Sequence, residues 1–353
     1  KLEIKEIKTN ISLKPLLFNK FSIDNLKITT KSVKIKNLTL LAKSFKSSIE
    51  LFLLDRMIKD GSLIADITLE FDEKGDIKKD YQITGFIKNV KLNFLKKFKI
   101  KNLNFEFDIH RNKYSLTEIT SEIKEIRLSS PSIEVIKKKD LFLIVGKILT
   151  KKKKFDRDQL RAITANFFKK QNIEKMIFDT ENDISFNLNK KLKINDLEIR
   201  SEVNLDQLVI KNNLKNLKKY LPDLEELINF EKHKIIINYN KDNLDIKGNG
   251  KILVKDKFDT INYKVIRNNN KFIFNTKTNI KNNKLLIEFL DFKKKENIDA
   301  SVTINGSFEK NSPINFNLIS LITKNDKILF KNLNLSRDFK LISIDSFNLN
   351  YLT

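Results

Sequence analysis

The residue types that most often carry chemistry in proteins are scarce in this sequence. The 353 residues include two histidines, His110 and His233, and no cysteine, which excludes disulfides and thiolate chemistry. The histidines lie far apart, and no HExxH pattern accompanies either, which argues against a zinc site. No GxSxG, Walker A or GxGxxG motif occurs, and no carboxylate pair stands out as catalytic. The sequence therefore predicts a protein that is not an enzyme and that uses no metal or other cofactor.

The charge balance is strongly basic, with a net charge of +24 from 69 Lys and Arg against 45 Asp and Glu. Such an excess is typical of proteins with an anionic partner, either nucleic acid or the anionic surface of a membrane. A genome biased towards A and T is the alternative, because it enriches Lys, Asn, Ile and Phe together. No RNP-like, helix-turn-helix or aromatic stacking motif accompanies the lysines, so we predict no specific nucleic-acid partner.

Two-residue periodicity dominates the chain and indicates strands with one apolar and one polar face. About twenty candidate strands are separated by short polar segments such as DEKG and RNNN, a length that suits antiparallel hairpins. Amphipathic segments predict helices over 47–60, 156–171 and 212–230. The predicted fold class is mainly β: a long, strongly twisted antiparallel sheet, curled into an elongated groove, with a few short amphipathic helices.

One six-residue pattern breaks the alternation: apolar, any, Asn/Asp/Ser, apolar, any, apolar. It occurs as IDNLKI at 23, IKNLTL at 35, IKNVKL at 87, IKNLNF at 100, INDLEI at 194, FKNLNL at 330 and IDSFNL at 344. The additional residue between apolar positions predicts a β-bulge or kink, which would twist and bend the strand that carries it. The alternative is that the polar residue ends one strand and begins a turn.

A sheet of this size must curl or find cover, because so many strands cannot close into one small barrel. One solution is a sandwich of two sheets, and the other is a sheet curled around its apolar face, which leaves a groove. The apolar positions favour the groove and should all point to one side. The predicted groove-lining residues are Leu103, Phe105, Phe107, Ile109, Phe272, Phe274, Val302, Ile304, Phe316 and Leu318.

The N-terminal stretch IKTNISLKPLLFNKFSIDNLKIT resembles the opening of AsmA-like proteins just after their membrane anchor. Residues 61–149 and 212–351 are similar to the repeated body of the larger, YhdP-type members. The resemblance implies an N-terminal β-groove segment (1–150), a middle segment with helices and strands (151–230) and a C-terminal β-groove segment (231–353). The chain begins at Lys1 rather than Met, so we expect it to be a piece of a longer protein whose anchor is absent here.

The same resemblance implies a function and a location. Members of this kind are anchored in the inner membrane of Gram-negative bacteria, and their periplasmic groove conducts phospholipids towards the outer membrane. The implied partners are phospholipids, the inner membrane, and outer-membrane or other envelope proteins. A second class of function stays open at this point, a scaffold for outer-membrane assembly that acts through protein–protein contacts at sheet edges.

Overall fold

The computed structural model describes residues 3–13, 17, 23–45, 49–72, 74–78, 81–94, 98–164, 172–191, 193–211, 218, 220–253 and 257–350. The chain is mainly β, with 74% strand, and twenty of its strands form one long antiparallel sheet. It divides into two compact units, unit 1 (Lys1–Thr150 with Asp183–Leu197) and unit 2 (Lys151–Asn182 with Glu198–Thr353). The predicted fold class is therefore confirmed as mainly β with one long antiparallel sheet. The predicted division of the chain into segments 1–150, 151–230 and 231–353 stays a prediction.

The first eight strands lie in unit 1, and each of the next three contributes residues to both units. They are β1 (Ile4–Ile11), β2 (Ile23–Thr30), β3 (Val33–Lys34), β4 (Ile58–Glu70), β5 (Gln82–Phe94), β6 (Phe98–His110), β7 (Lys113–Ile123), β8 (Ile126–Lys137), β9 (Leu141–Asp156), β10 (Ile173–Asn189) and β11 (Ile194–Lys211). From β4 to β9 each strand pairs with the next along the chain, while β2 pairs with both β1 and β4.

The remaining strands belong to unit 2. They are β12 (Leu227–Asn240), β13 (Asn243–Leu253), β14 (Phe258–Asn268), β15 (Lys271–Ile280), β16 (Leu285–Ile287), β17 (Phe292–Lys294), β18 (Ala300–Glu309), β19 (Ile314–Thr323), β20 (Lys327–Leu335), β21 (Leu341–Ser343) and β22 (Ser346–Asn350). The pairing order is β11, β12, β13, β14, β15, β18, β19, β20, and both β21 and β22 pair with β20. The β16–β17 hairpin forms a separate two-stranded sheet. Within the described parts of either unit the sheet is not strongly curled, so the predicted groove is not confirmed.

The described helices of more than one turn are α1 (Ile35–Phe45), α2 (Ile49–Met57) and α3 (Arg157–Thr164). The helices predicted over 47–60 and 156–171 are confirmed where α2 and α3 lie, but residues 58–60 belong to β4. Residues 47–48 and 165–171 fall outside the described chain. The helix predicted over 212–230 is wrong throughout its described residues, because 218 and 220–226 form turns and irregular chain and 227–230 belong to β12. Residues 212–217 and 219 lie outside the described part.

The polar third residue of the repeated pattern takes a left-handed conformation in most copies. Asn89, Asn102, Asp196 and Asn332 have φ values of 54°, 50°, 48° and 49°, a region in which Asn and Asp are the least strained residues after Gly. The register between β5 and β6 shifts beside Asn89, and that between β6 and β7 shifts beside Asn102. The predicted bulge is therefore confirmed at Asn89 and Asn102, whereas at Asp196 and Asn332 the left-handed φ marks a local kink in the strand.

The Asn104 side chain forms hydrogen bonds at two neighbouring bulges. Asn104 Oδ1 accepts a hydrogen bond from the backbone N–H of Asn89 at 2.9 Å, and its Nδ2 donates to the backbone oxygen of Asn102 at 2.8 Å and to Thr120 Oγ1 at 3.2 Å. Glu118, on the next strand, also has a left-handed φ of 50°. The bulges of β5, β6 and β7 thus lie side by side, and the Asn104 side chain satisfies backbone groups at the first two of them.

The other three copies of the pattern differ. The copy at 35, which we predicted to be a strand, forms the first turns of α1, because apolar residues three apart also share one face of a helix. Ile35 and Leu38 use that spacing to pack on the sheet, and Thr39 Oγ1 donates to the Ile35 oxygen at 2.7 Å. At Asn25 the β1–β2 register shifts without a left-handed residue, and Ser346 begins β22.

Replacing Asn89 tests the cost of the left-handed conformation. We expect Asn89→Ala to lower the free energy of unfolding by about 1 kcal/mol, because a Cβ without a polar side chain is disfavoured at this φ. Asn89→Gly should change it by less than about 0.5 kcal/mol, since glycine adopts this conformation freely. Urea denaturation of both variants is the measurement, and equal stabilities would contradict the bulge interpretation.

Each unit has its own apolar cores. In unit 1, Ile35 of α1 lies with Leu63, Ala65, Val90 and Phe107 in one buried cluster on β4, β5 and β6. In unit 2, the β16–β17 hairpin covers part of the sheet, where Phe292 packs with Ala300, Leu321 and Ile328. Helix α1 and this hairpin are therefore the elements that close parts of the sheet face in their respective units.

A buried polar cluster holds the β16–β17 hairpin in place. Lys294 Nζ donates to the backbone oxygens of Lys281 (3.1 Å), Asn283 (2.7 Å) and Lys295 (3.1 Å). The Asp259 carboxylate accepts from Asn283 Nδ2 at 2.5 Å and from the backbone N–H groups of Lys281 and Asn282. Burial lowers the pKa of Lys294, and the nearby negative charge of Asp259 opposes that shift. These contacts give both buried charges hydrogen-bond partners, as burial requires.

Candidate functional site: the apolar face of the sheet

In unit 1 the predicted lining residues share one side of β6. Leu103, Phe105, Phe107 and Ile109 are buried or half-buried, whereas Glu106 and Asp108 between them are exposed. All four belong to the cluster around Ile35 and Val90, and Phe107 is only 8% exposed. A Cβ added at Gly85 would lie 2.9 Å from Phe107 Cζ, so the ring lies directly on the β5 backbone. This part of the face is packed.

In unit 2 five of the six predicted residues share one side. In the register, Phe272 and Phe274 of β15 pair with Phe308 and Gly306 of β18, which places them on the same side as Ile304 and Val302. The ring of Phe274 lies edge-on to Phe316 at 5.8 Å between centroids. All five predicted side chains are half-buried.

Leu318 is the exception, and its predicted place on this face is wrong. The β18–β19 register pairs Gly306 with Phe316 but Asn305 with Leu318, so Asn317 is an additional residue in β19. Because the bulge reverses the alternation, Leu318 lies on the opposite side, across from Lys331 of β20. Ile319, its neighbour, takes the position on the apolar face, opposite Ile304.

The registers extend this apolar face across unit 2 from β12 to β22, and most of its members were not predicted. Besides the five residues above, it includes Ile235, Ile237, Ile246, Ile261, Val265, Phe308, Ile319, Leu321, Ile328, Phe330, Leu333 and Phe347. Rings contact each other along it, with Phe272 stacked on Phe308 at 4.9 Å and Phe330 beside Phe347 at 4.8 Å. Away from the β16–β17 hairpin most of these side chains are half-buried rather than buried, so apolar surface is available for contact.

Several polar residues interrupt the face: Thr276 and Thr278 of β15, Arg267 of β14, and a buried pair formed by His233 and Tyr263. His233, on β12, is 2% exposed, and its Nδ1 lies 3.3 Å from the Tyr263 hydroxyl while its Nε2 lies 3.0 Å from the Lys251 backbone oxygen. A bulge at Lys232, with φ of 52°, turns His233 over Gly250, where any Cβ would clash with the imidazole. Burial lowers the pKa of His233 and raises that of Tyr263. His110, by contrast, is exposed at the end of β6.

The buried imidazole should make stability depend on pH. Because the pKa of His233 is lower in the folded protein than in the unfolded chain, the unfolded chain takes up the proton first. The contribution of His233 is therefore complete above the unfolded pKa of about 6.5 and declines as pH falls towards the folded value. We expect the Tm difference between the native protein and His233→Gln to shrink from pH 7.5 to pH 5. The exposed-site variant His110→Gln is the control, and a difference that grows on acidification would contradict the assignment.

Neither a metal cluster nor a membrane-spanning helix is found in the described part of the chain. No group of three or more His, Cys, Asp or Glu side chains that could hold a metal ion occurs within the described residues. In the same part of the chain, no helix is long and apolar enough to cross a membrane. Comparison with protein-family models, with curated proteins and with solved structures gives no match.

Proposed function

We propose that this chain is a non-catalytic lipid conduit that binds the acyl chains of phospholipids along its apolar sheet face. The observation that carries the proposal is the apolar face of unit 2, which continues from strand to strand through cross-strand contacts such as Phe272–Phe308 and Phe274–Phe316. Its side chains stay half-buried, so they can gain free energy by covering a ligand.

The energetics favour a long apolar ligand over a compact one. Each buried methylene contributes about 0.8 kcal/mol, so an acyl chain gains more the further it follows a continuous apolar path. The opposite side of the same strands carries polar residues such as Asn275, Lys277 and Asn279. The strands thus present one side to hydrocarbon and the other to water. A sheet curled around its apolar side would shelter the chain further, and we include that curl in the proposal.

The proposed location follows from the resemblance to AsmA-like proteins. We place the chain on the periplasmic side of the inner membrane in a Gram-negative envelope, attached through an anchor outside this sequence. Phospholipids are then the transported molecules, and transport runs between the inner and outer membranes. The net charge of +24 is compatible with anionic membrane surfaces at both ends of such a path.

Lipid analysis of the purified chain tests the proposal. We expect phospholipid to co-purify with the folded protein and to appear both in native mass spectra and in organic extracts. Incubation with detergent micelles should displace it, since a detergent tail competes for the same apolar surface. Folded protein that neither carries phospholipid nor takes it up from vesicles would contradict the conduit.

A scaffold for envelope assembly is the second candidate, and the edge strand β22 favours it. Among the described strands β22 pairs with β20 alone, and Phe347 on it is 44% exposed. Such an edge can accept a strand from another protein. The two functions differ in their response to mutation: Asn348→Lys, on β22 but on the side opposite the apolar face, should abolish scaffold activity and leave phospholipid binding unchanged.

A further inference from the structure

An open pocket of about 620 Å³ lies in unit 2 where the β14–β15 and β18–β19 hairpins turn. Three cationic side chains, three amides and two aromatic rings line it: Arg267, Lys310, Arg337, Asn269, Asn270, Asn311, Phe272 and Phe308. None of these lining residues is acidic. A pocket lined by cations and by no carboxylate attracts an anion, because no lining residue neutralises the positive charge.

The aromatic lining connects the pocket to the apolar face. Phe272 and Phe308 are a cross-strand pair whose rings stack at 4.9 Å with an angle of 10° between planes. Phe274, the next residue on the same side of β15, lies 6.3 Å from the Phe308 ring. The pocket therefore ends where the row of apolar side chains begins.

Arg267 and Arg337 each contact neighbouring residues and still have N–H donors without a hydrogen-bond partner among the described residues. Arg267 pairs with Phe272 in the β14–β15 register, and its Nε is buried without a hydrogen-bond partner among the described residues. The Arg337 guanidinium lies 4.9 Å from the centre of the Phe308 ring and donates one hydrogen bond to the Glu309 backbone oxygen. A buried donor without a partner is costly, and a ligand oxygen at this point would remove that cost.

We propose that this pocket binds the phosphoryl head group of an acyl amphiphile, whose tail continues onto the adjoining apolar face. The position of the tail depends on the function proposed above, whereas the phosphoryl contact depends on the pocket alone. Guanidinium groups suit this role, because their planar donors match two phosphate oxygens at once. Lys310 adds a third positive charge at the exposed rim.

Single-stranded nucleic acid would also bring phosphates, but the rings argue against it. Nucleic-acid platforms offer aromatic faces on which bases stack. Here the Phe308 ring already stacks on Phe272 and contacts Arg337, so its faces are engaged within the protein. The amphiphile is favoured because the rings continue into an apolar row rather than stand alone.

Titration calorimetry with soluble probes tests the inference. The probes are a short-chain diacyl phosphatidic acid below its micelle concentration, the matching diacylglycerol, glycerol 3-phosphate and a short oligothymidylate. The test variant carries Arg267→Gln and Arg337→Gln. The control variant carries Lys277→Gln and Lys327→Gln, which remove the same charge from exposed positions on the opposite side of the sheet.

We expect the native protein to bind the phosphatidic acid at least about tenfold tighter than the diacylglycerol or glycerol 3-phosphate. The test variant should lose that preference and still bind the diacylglycerol as the native protein does, which also shows that it is folded. The control variant should behave like the native protein.

Other results overturn the inference in distinguishable ways. Equal affinity for phosphatidic acid and diacylglycerol would contradict the proposed head-group site. It would not contradict the proposed lipid conduit. Glycerol 3-phosphate that binds as tightly as phosphatidic acid would indicate a site for free phosphate compounds. Tighter binding of the oligothymidylate, lost in the test variant, would assign the pocket to nucleic acid. Failure to bind either amphiphile would contradict the conduit as well.

Discussion

Replacing Phe107 with Asp is expected to unfold unit 1. The side chain is 8% exposed and lies on Gly85 within the cluster of Ile35, Leu63 and Val90. Removal of a buried phenylalanine ring costs about 3–5 kcal/mol, and an unpaired carboxylate in its place adds several more. The sum approaches the total stability of a typical domain, which is about 5–15 kcal/mol.

Thermal melting followed by circular dichroism, together with hydrogen exchange in β4 to β7, measures this loss. Phe52→Asp is the matched control, because Phe52 lies in unit 1 on α2 and is 52% exposed. It should lower the free energy of unfolding by less than about 1 kcal/mol. A folded Phe107→Asp protein with native exchange protection would show that this position faces an open groove rather than a packed core.

Replacing Phe274 with Asp is expected to remove bound phospholipid while the protein stays folded. Phe274 is half-buried, and its ring packs on the β18 backbone at Gly306 and against Phe316. A carboxylate there can still reach water in the free protein, so we expect a stability loss of about 1–3 kcal/mol. Against an acyl chain the same charge would be desolvated, so bound lipid should fall at least about tenfold.

The ratio of phospholipid to protein after purification, measured beside Tm, tests this prediction. Ile273→Asp is the control, because Ile273 is the adjacent residue, points to the opposite side of β15 and is exposed. It should leave the lipid content unchanged. Equal lipid loss in both variants would show that the apolar face of unit 2 does not select the site of binding.

The sequence predicted the strands and the bulges well because both leave a local signal. Two-residue alternation marks each strand, and a polar residue between apolar neighbours marks Asn89, Asn102, Asp196 and Asn332. For the copy of the pattern at 35, the sequence could not distinguish a strand from a helix, since its apolar spacing fits both. There the decision came from packing, with Ile35 and Leu38 both on the cluster of β4 to β6.

The sequence does indicate that Leu318 lies on the opposite side of β19, but the regular alternation before it made this easy to miss. Isoleucine, phenylalanine and leucine alternate from Ile314 to Leu318, but Leu318 is followed directly by another apolar residue, Ile319. An adjacent apolar pair indicates that the strand changes phase nearby. The bulge at Asn317 is that change, although no left-handed residue accompanies it.

The basic pocket could not be predicted from the sequence. Arg267, Lys310 and Arg337 lie in separate hairpins, tens of residues apart, and only the strand registers bring them to one end of the sheet. In a chain with 69 Lys and Arg, none of these three stands out by type or neighbourhood. Charge became informative only where the folded chain gathers cations in a pocket whose lining contains no acidic residue.

The row of bulges at Asn89, Asn102 and Glu118 restricts how the chain can change in length. Each bulge adds one residue to its strand, and Asn104 joins the first two by hydrogen bonds. Deleting Asn102 alone would turn the residues on one side of the deletion to the opposite face, so Phe105 and Phe107 would trade places with Glu106 and Asp108. Compensating deletions in β5 and β7 would be needed to restore the pairing. Neighbouring strands in this region can therefore gain or lose single residues only together.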